Sequence, residues 1–172
     1  MKIDWKVYAA VMGLALIAAI ALFIAKIFYL VGAILATLLL ALLLGVMKPV
    51  KYLGIELVTL STILIGIMFG SLIGAVYGAV VLIAHLILGR YYIGPYLLWL
   101  LPEYALIGVV SGVMGNGIIS LVGVSVIAGM NFVNLFLTFL VDRERVGPYV
   151  PYVLGNVVIN SLLLMQVMPL LL

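Results

Sequence analysis

Apolar residues in this chain run in long, nearly unbroken blocks, and polar residues are confined to short gaps between them. A helix rises ~1.5 Å per residue and must cross ~30 Å of hydrocarbon, so a span needs about 20 mostly apolar residues. Read against that length, the blocks predict spans over Tyr8 to Ala25, Ile27 to Met47, Leu53 to Phe69, Leu72 to Leu88, Tyr96 to Met114, Ile118 to Val141 and Tyr152 to Leu172. The gaps are Lys48-Pro49-Val50-Lys51, Gly70-Ser71, the polar and aromatic stretch Arg90 to Pro95, and the charged loop Asp142-Arg143-Glu144-Arg145. Barrel strands would alternate apolar and polar over ~10 residues, and these runs do not alternate. A cleaved signal peptide is the rival reading of the first block, with Ala19-Ile20-Ala21 as its small-x-small site. A second apolar run follows at once, so a retained helix is expected.

Composition narrows the solvent. The chain is 69% hydrophobic and 8% charged, with a mean hydropathy of +1.51. A soluble domain carries roughly 25% charged residues to hydrate its surface. Lipid is therefore the expected outer solvent, and the expected fold is all-α: a polytopic transmembrane helical bundle of six to seven spans. Residues 1–172 then form one integral membrane domain, with a helical hairpin over 1–52 and a core over 53–172. The absence of Cys excludes disulfides and thiolate metal sites. A net charge of +3 is too small and dispersed to suggest nucleic acid.

Small residues recur four apart: Ala15 and Ala19, Gly66 and Gly70, Gly70, Gly74 and Gly78, Gly108 and Gly112. Such stripes let helix backbones approach closely where lipid supplies no hydrophobic drive. With seven spans, Lys2/Lys6, Lys48/Lys51, Arg90 and Arg143/Arg145 share one side and Lys26 lies opposite. By the positive-inside rule the N-terminus is then inside.

Polar groups within the apolar runs carry the functional information, since each costs free energy unless paired or hydrated. Glu103 follows Pro102, which kinks or breaks its helix. Its carboxylate either contacts a ligand or cation, or sits near the membrane interface, where charge is cheap. His85 lies inside its run and reads as a packing residue sooner than a proton relay. Glu56, in the first turn of its helix, suits the macrodipole and reads as structural. Asn131 and Asn134 are three apart, and Asn156 and Asn160 four apart, so each pair shares a helix face. Amides offer donors and acceptors to a polar small molecule between helices, and they serve interhelical hydrogen bonding equally well. Tyr91, Tyr92, Tyr96 and Trp99 fit an interfacial aromatic belt, or, beside Arg90, the lid of a ligand site.

No catalytic constellation is present in the sequence: no metal-spaced His and acidic cluster, no nucleophile elbow and no phosphate loop. The chain is expected not to be an enzyme, and to use no metal or cofactor.

From Gly54 to Leu172 the arrangement resembles the substrate-binding S components of energy-coupling factor (ECF) transporters. Ser61-Thr-Ile-Leu-Ile-Gly66-Ile-Met-Phe69-Gly70-Ser-Leu-Ile-Gly74-Ala-Val-Tyr-Gly78 is similar to that family's Phe-Gly-Pro turn between two Gly-rich helices, with Ser71 where proline is usual. Gly94-Pro95-Tyr96 through Gly112 resembles its fourth helix. Asn131 to Leu140 and Pro151 to Asn160 resemble its last two. The resemblance implies a compact bundle that captures a vitamin or similar nutrient and docks on a membrane scaffold (T) subunit with two ATPase subunits. It places the ligand at Glu103, Asn131, Asn134, Asn156 and Asn160, with Trp99 nearby, under a lid from Arg90 through Tyr92 to Tyr96. It gives Ala15 and Ala19 a docking role. The family has six helices, so Ile27 to Met47 has no counterpart. Its orientation puts the Arg90 and Arg143 loops outside, opposite to the charge rule.

Two readings follow. A solute-binding subunit requires a polar cavity among the last helices. A non-catalytic scaffold of a larger membrane complex, of which the cell-shape protein MreD is one type, requires a dry, solid bundle. A proton channel or intramembrane enzyme would need Glu103 and His85 to meet.

Overall fold

The computed structural model describes residues 5–47, 50–114 and 119–171. Lys2, Asp4, Lys48, Pro49, Ile118 and Leu172 lie outside the described residues. The elements are α1 (Trp5–Val46), a 3-10 turn (Val50–Leu53), α2 (Val58–Phe69), α3 (Ser71–Leu88), α4 (Leu97–Met114), α5 (Ile119–Val141) and α6 (Arg143–Leu171). Among the described residues there is no strand, and five helices are long and apolar enough to cross a membrane.

The structure departs from the expected segmentation in three places. The hairpin expected over 1–52 is instead one helix of 42 residues. Only Lys26 separates its two apolar runs, and the junction Ala25-Lys26-Ile27 contains no Gly or Pro to end a helix. The block Leu53 to Phe69 yields only the 12-residue α2, about 18 Å long at the helical rise. It loses its first residues to the 3-10 turn and to Gly54, whose φ of +69° stops helix propagation. The charged loop at 142–145 shrinks to Asp142, because Arg143-Glu144-Arg145 already belong to α6. Glu144 lies in that first turn, where an acidic side chain suits the helix dipole. With these changes the described residues hold five helices long and apolar enough to cross a membrane, beside the shorter α2, where six to seven spans were expected.

The chain divides into two compact units, residues 1–33 and 34–172. In the first, the side chains of Met12, Leu14, Leu16, Ile17, Ile20, Leu22 and Phe23 are exposed around the helix. In the second, α2, α3 and α4 pack together, α5 packs along α6, and the 3-10 turn rests on α6. Glycine makes the first of these groups possible. A Cβ on Gly74 would stand 2.6 Å from Gly66 Cα and 2.9 Å from the Gly108 carbonyl oxygen, so three backbones meet where no side chain fits. The small-residue spacing of α2, α3 and α4 is thus used for close approach.

Polarity is distributed inside out. Leu72, Val76, Val80, Ile83 and Ile87 form an exposed apolar stripe on α3, and Leu154, Val158, Leu162 and Met165 form another on α6. Buried instead are Thr37, Glu56, Thr59, Thr62, His85, Asn131, Asn134, Asn156 and Asn160. In water such an exterior would be costly, at about 25 cal/mol per Å² of exposed apolar area. Contiguous apolar surface around a polar interior fits a lipid solvent.

Candidate functional site

The polar interior is organised on Glu56, 1% exposed. The left-handed turn at Gly54 brings the chain close to α6: a side chain there would overlap the Tyr152 carbonyl. Two residues on, the Glu56 carboxylate accepts the free backbone N–H of Val58 and that of Thr59 at the start of α2, which caps the helix. Thr59 Oγ1 donates to Glu56 Oε1 at 2.6 Å. Asn156 and Asn160, one turn apart on α6, donate their amides to the same oxygen at 2.7 and 3.3 Å. Asn131 on α5 donates to Asn156 Oδ1 at 2.8 Å. The carboxylate therefore ties the start of α2 to α6, and through Asn156 to α5. No basic side chain among the described residues forms an ion pair with it, so its charge is held by hydrogen bonds alone.

Beside this cluster lies a chamber of about 230 Å³. Glu56, His85 and Tyr104, with Asn134 and Leu82, form its most deeply buried wall. Seven tyrosines line it: Tyr52, Tyr91, Tyr92, Tyr96, Tyr104, Tyr149 and Tyr152. Lys51, Asn134 and Arg145 complete its polar lining. Thr59 gives its only proton to Glu56, so in the 3.0 Å contact between Tyr104 and Thr59 the phenol is the donor. His85 stacks on Tyr91 with ring centroids 5.2 Å apart. Neither of its ring nitrogens has a hydrogen-bond partner among the described residues. Burial, with the Glu56 charge adding to it, pushes the Tyr91 phenol up, and burial does the same to Tyr96. Both therefore present neutral, proton-bearing hydroxyls at neutral pH.

A second cavity of about 470 Å³ shares Tyr52, Tyr92, Tyr96, Asn134, Arg145 and Tyr149 with the chamber and adds Trp99, Thr138 and Asp142. Cations gather on aromatic faces around the two cavities. Lys51 Nζ lies 5.1 Å from the Tyr91 ring centre and donates to the Arg90 carbonyl at 3.1 Å. Arg145 lies over Tyr92 at 4.9 Å, and its Nε pairs with Asp142 at 2.8 Å. Trp99 Nε1 donates to Asn134 Oδ1 at 3.0 Å.

The residues singled out by sequence separate into groups. Asn134, Tyr92, Tyr96 and Trp99 line these cavities. Asn131, Asn156 and Asn160 are buried in the Glu56 cluster and do not line the chamber. Arg90 is exposed, with φ of +52°, and contributes its backbone carbonyl, not its guanidinium. Glu103 lies in a different, largely apolar cleft of about 400 Å³ between α4 and α5, with Trp99, Leu106 and Val133. Its oxygens are buried without a hydrogen-bond partner among the described residues. Glu103 and His85 thus line separate cavities. Ala15 and Ala19 are exposed in the N-terminal unit.

Sequence reasoning missed Glu56 and His85 as site residues, along with Lys51, Tyr52, Tyr104, Arg145, Tyr149 and Tyr152. The available signal was the concentration of tyrosine just outside and inside the ends of several apolar blocks, which an interfacial belt explained equally well. Among the described residues no group of His, Cys, Asp and Glu could hold a metal ion. No family model matches this chain, and neither a curated protein nor a solved structure matches it.

Proposed function

We propose that this chain is a multi-pass cell-membrane protein that binds a small nutrient for uptake, acting as the S-component-like subunit of an ATP-driven transporter whose energising subunits are separate chains. The observation that carries this reading is the chamber. A bundle selected only for solid packing gains nothing from a 230 Å³ cavity walled by phenols and by a buried histidine with two unpartnered nitrogens. Each unpaired buried polar group costs roughly 1–3 kcal/mol, which a ligand's hydrogen bonds would offset. The exposed Ala15/Ala19 face of the N-terminal unit supplies a surface for a membrane scaffold subunit.

That same exposed helix favours the second reading, a structural subunit of a larger complex. Purification from native membranes followed by native mass spectrometry distinguishes the two. The uptake reading expects one small molecule bound per chain, lost in Leu100→Trp, which fills the chamber wall, and ATPase subunits in the same complex. Protein partners with no small molecule would establish the scaffold instead.

A further inference from the structure

The chemistry of the chamber defines its ligand more narrowly than "small nutrient", an inference that rests on the solute-binding reading. Glu56 already accepts from Val58, Thr59, Asn156 and Asn160, and a carboxylate has about four lone-pair sites. It has none left to offer a ligand directly. Its negative charge nevertheless stays in the chamber wall without a basic partner among the described residues. At the low effective dielectric of a buried site, that field favours positive charge.

The remaining tyrosines of the wall, such as Tyr96 and Tyr104, which Lys51 and Arg145 do not cover, act in the same direction, because electron-rich phenol faces attract cations and electron-poor rings. His85 adds direct polar contacts. A neutral imidazole carries one donor and one acceptor nitrogen, and here both are buried and unpartnered. They match a ligand edge that carries an N–H or ring nitrogen.

The more exposed part of the lining has the opposite sign. Lys51 and Arg145 line the chamber but are far more exposed than Glu56 and His85. Lys51 uses one hydrogen bond on the Arg90 carbonyl, leaving further ammonium donors. Arg145 meets Asp142 through Nε, leaving its terminal nitrogens. An acidic substituent fits there.

We infer that the chamber takes a planar nitrogen heterocycle, cationic or electron-poor, that also carries an acidic group: the ring seated among the tyrosines against His85, the acid turned outward to Lys51 and Arg145.

Isothermal titration of the purified full chain in detergent tests this with four probes: imidazole-4-acetate, 4-methylimidazole, phenylacetate and cyclohexylacetate. Imidazole-4-acetate should bind about tenfold or more tighter than each of the others, a difference of about 1.4 kcal/mol. Lys51→Gln should weaken it roughly tenfold, the scale of a charged hydrogen bond, without affecting 4-methylimidazole. His85→Phe keeps a ring on Tyr91 and should weaken both imidazoles. Phenylacetate binding as tightly as imidazole-4-acetate would overturn the heterocycle. So would a sugar or aliphatic molecule co-purifying with a chain that binds no probe, and either result leaves solute binding standing. No probe binding and no co-purifying small molecule would remove the solute-binding reading itself.

Discussion

Asn156 donates its side-chain amide to the Glu56 carboxylate at 2.7 Å across 100 positions of sequence. The same asparagine accepts from Asn131 on α5, so one amide joins α2, α5 and α6. An amide can do this because it carries donor and acceptor together.

Replacing Asn156 by leucine removes both roles and leaves Glu56 and Asn131 short of partners. The expected cost is about 2 kcal/mol, the scale of a hydrogen bond to a charged group. Thermal unfolding in detergent should show a clearly lowered midpoint. A midpoint equal to wild type would mean the cluster is not what holds α6 to α2.

Gly74→Ala should destabilise, because the new methyl would meet backbone atoms of Gly66 and Gly108 at 2.6 and 2.9 Å, which cannot swing away as side chains do. Overpacking of this kind costs about 1–3 kcal/mol. Gly129→Ala on α5 has nothing within 4 Å of the added carbon and should leave stability unchanged or slightly improved. The two variants compared by the same melt separate close backbone approach from a general intolerance of alanine.

Alkaline pH should destabilise the fold. The Tyr91 phenol is raised above its ordinary 10.0 by burial and by Glu56. The folded chain therefore keeps a proton that the unfolded chain releases above about pH 10. Stability from this group is complete below that pH and declines as pH rises toward the folded value. Tyr91→Phe should flatten the decline between pH 10 and 11 in urea or thermal titrations. An identical pH dependence in both proteins would contradict it.

Ala15→Leu with Ala19→Leu changes exposed positions in the N-terminal unit. The melt of the isolated chain should not move. If the proposed uptake role holds, co-purification of a scaffold subunit should fall, measured as subunit ratio by native mass spectrometry. An undiminished ratio would place the docking face elsewhere.

The sequence by itself determined that the chain is helical and that its exterior is apolar, because both follow from run length and local composition. It also marked the glycines of α2, α3 and α4, since a four-residue spacing is a local pattern with a packing consequence. It also singled out Asn134, Tyr92, Tyr96 and Trp99, which line the two adjoining cavities, although their own pattern fitted an interhelical hydrogen bond and an interfacial belt equally well.

Only the tertiary structure decided what these residues do. Lys26 looked like a gap and is the interior of a helix, since a single lysine without glycine or proline does not end one. Glu56 read as a structural acid in the first turn of its helix, and it lies instead two residues before α2 as a helix cap. It is also the acceptor for two asparagines about a hundred residues away. Glu103 looked central and lies in a separate cleft, because side-chain direction around α4 depends on how α4 packs, which periodicity alone left open. A block of uniformly apolar residues has no face that names its neighbour. The burial of Glu56 and the chamber beside it therefore exist only once α6 is laid against the start of α2.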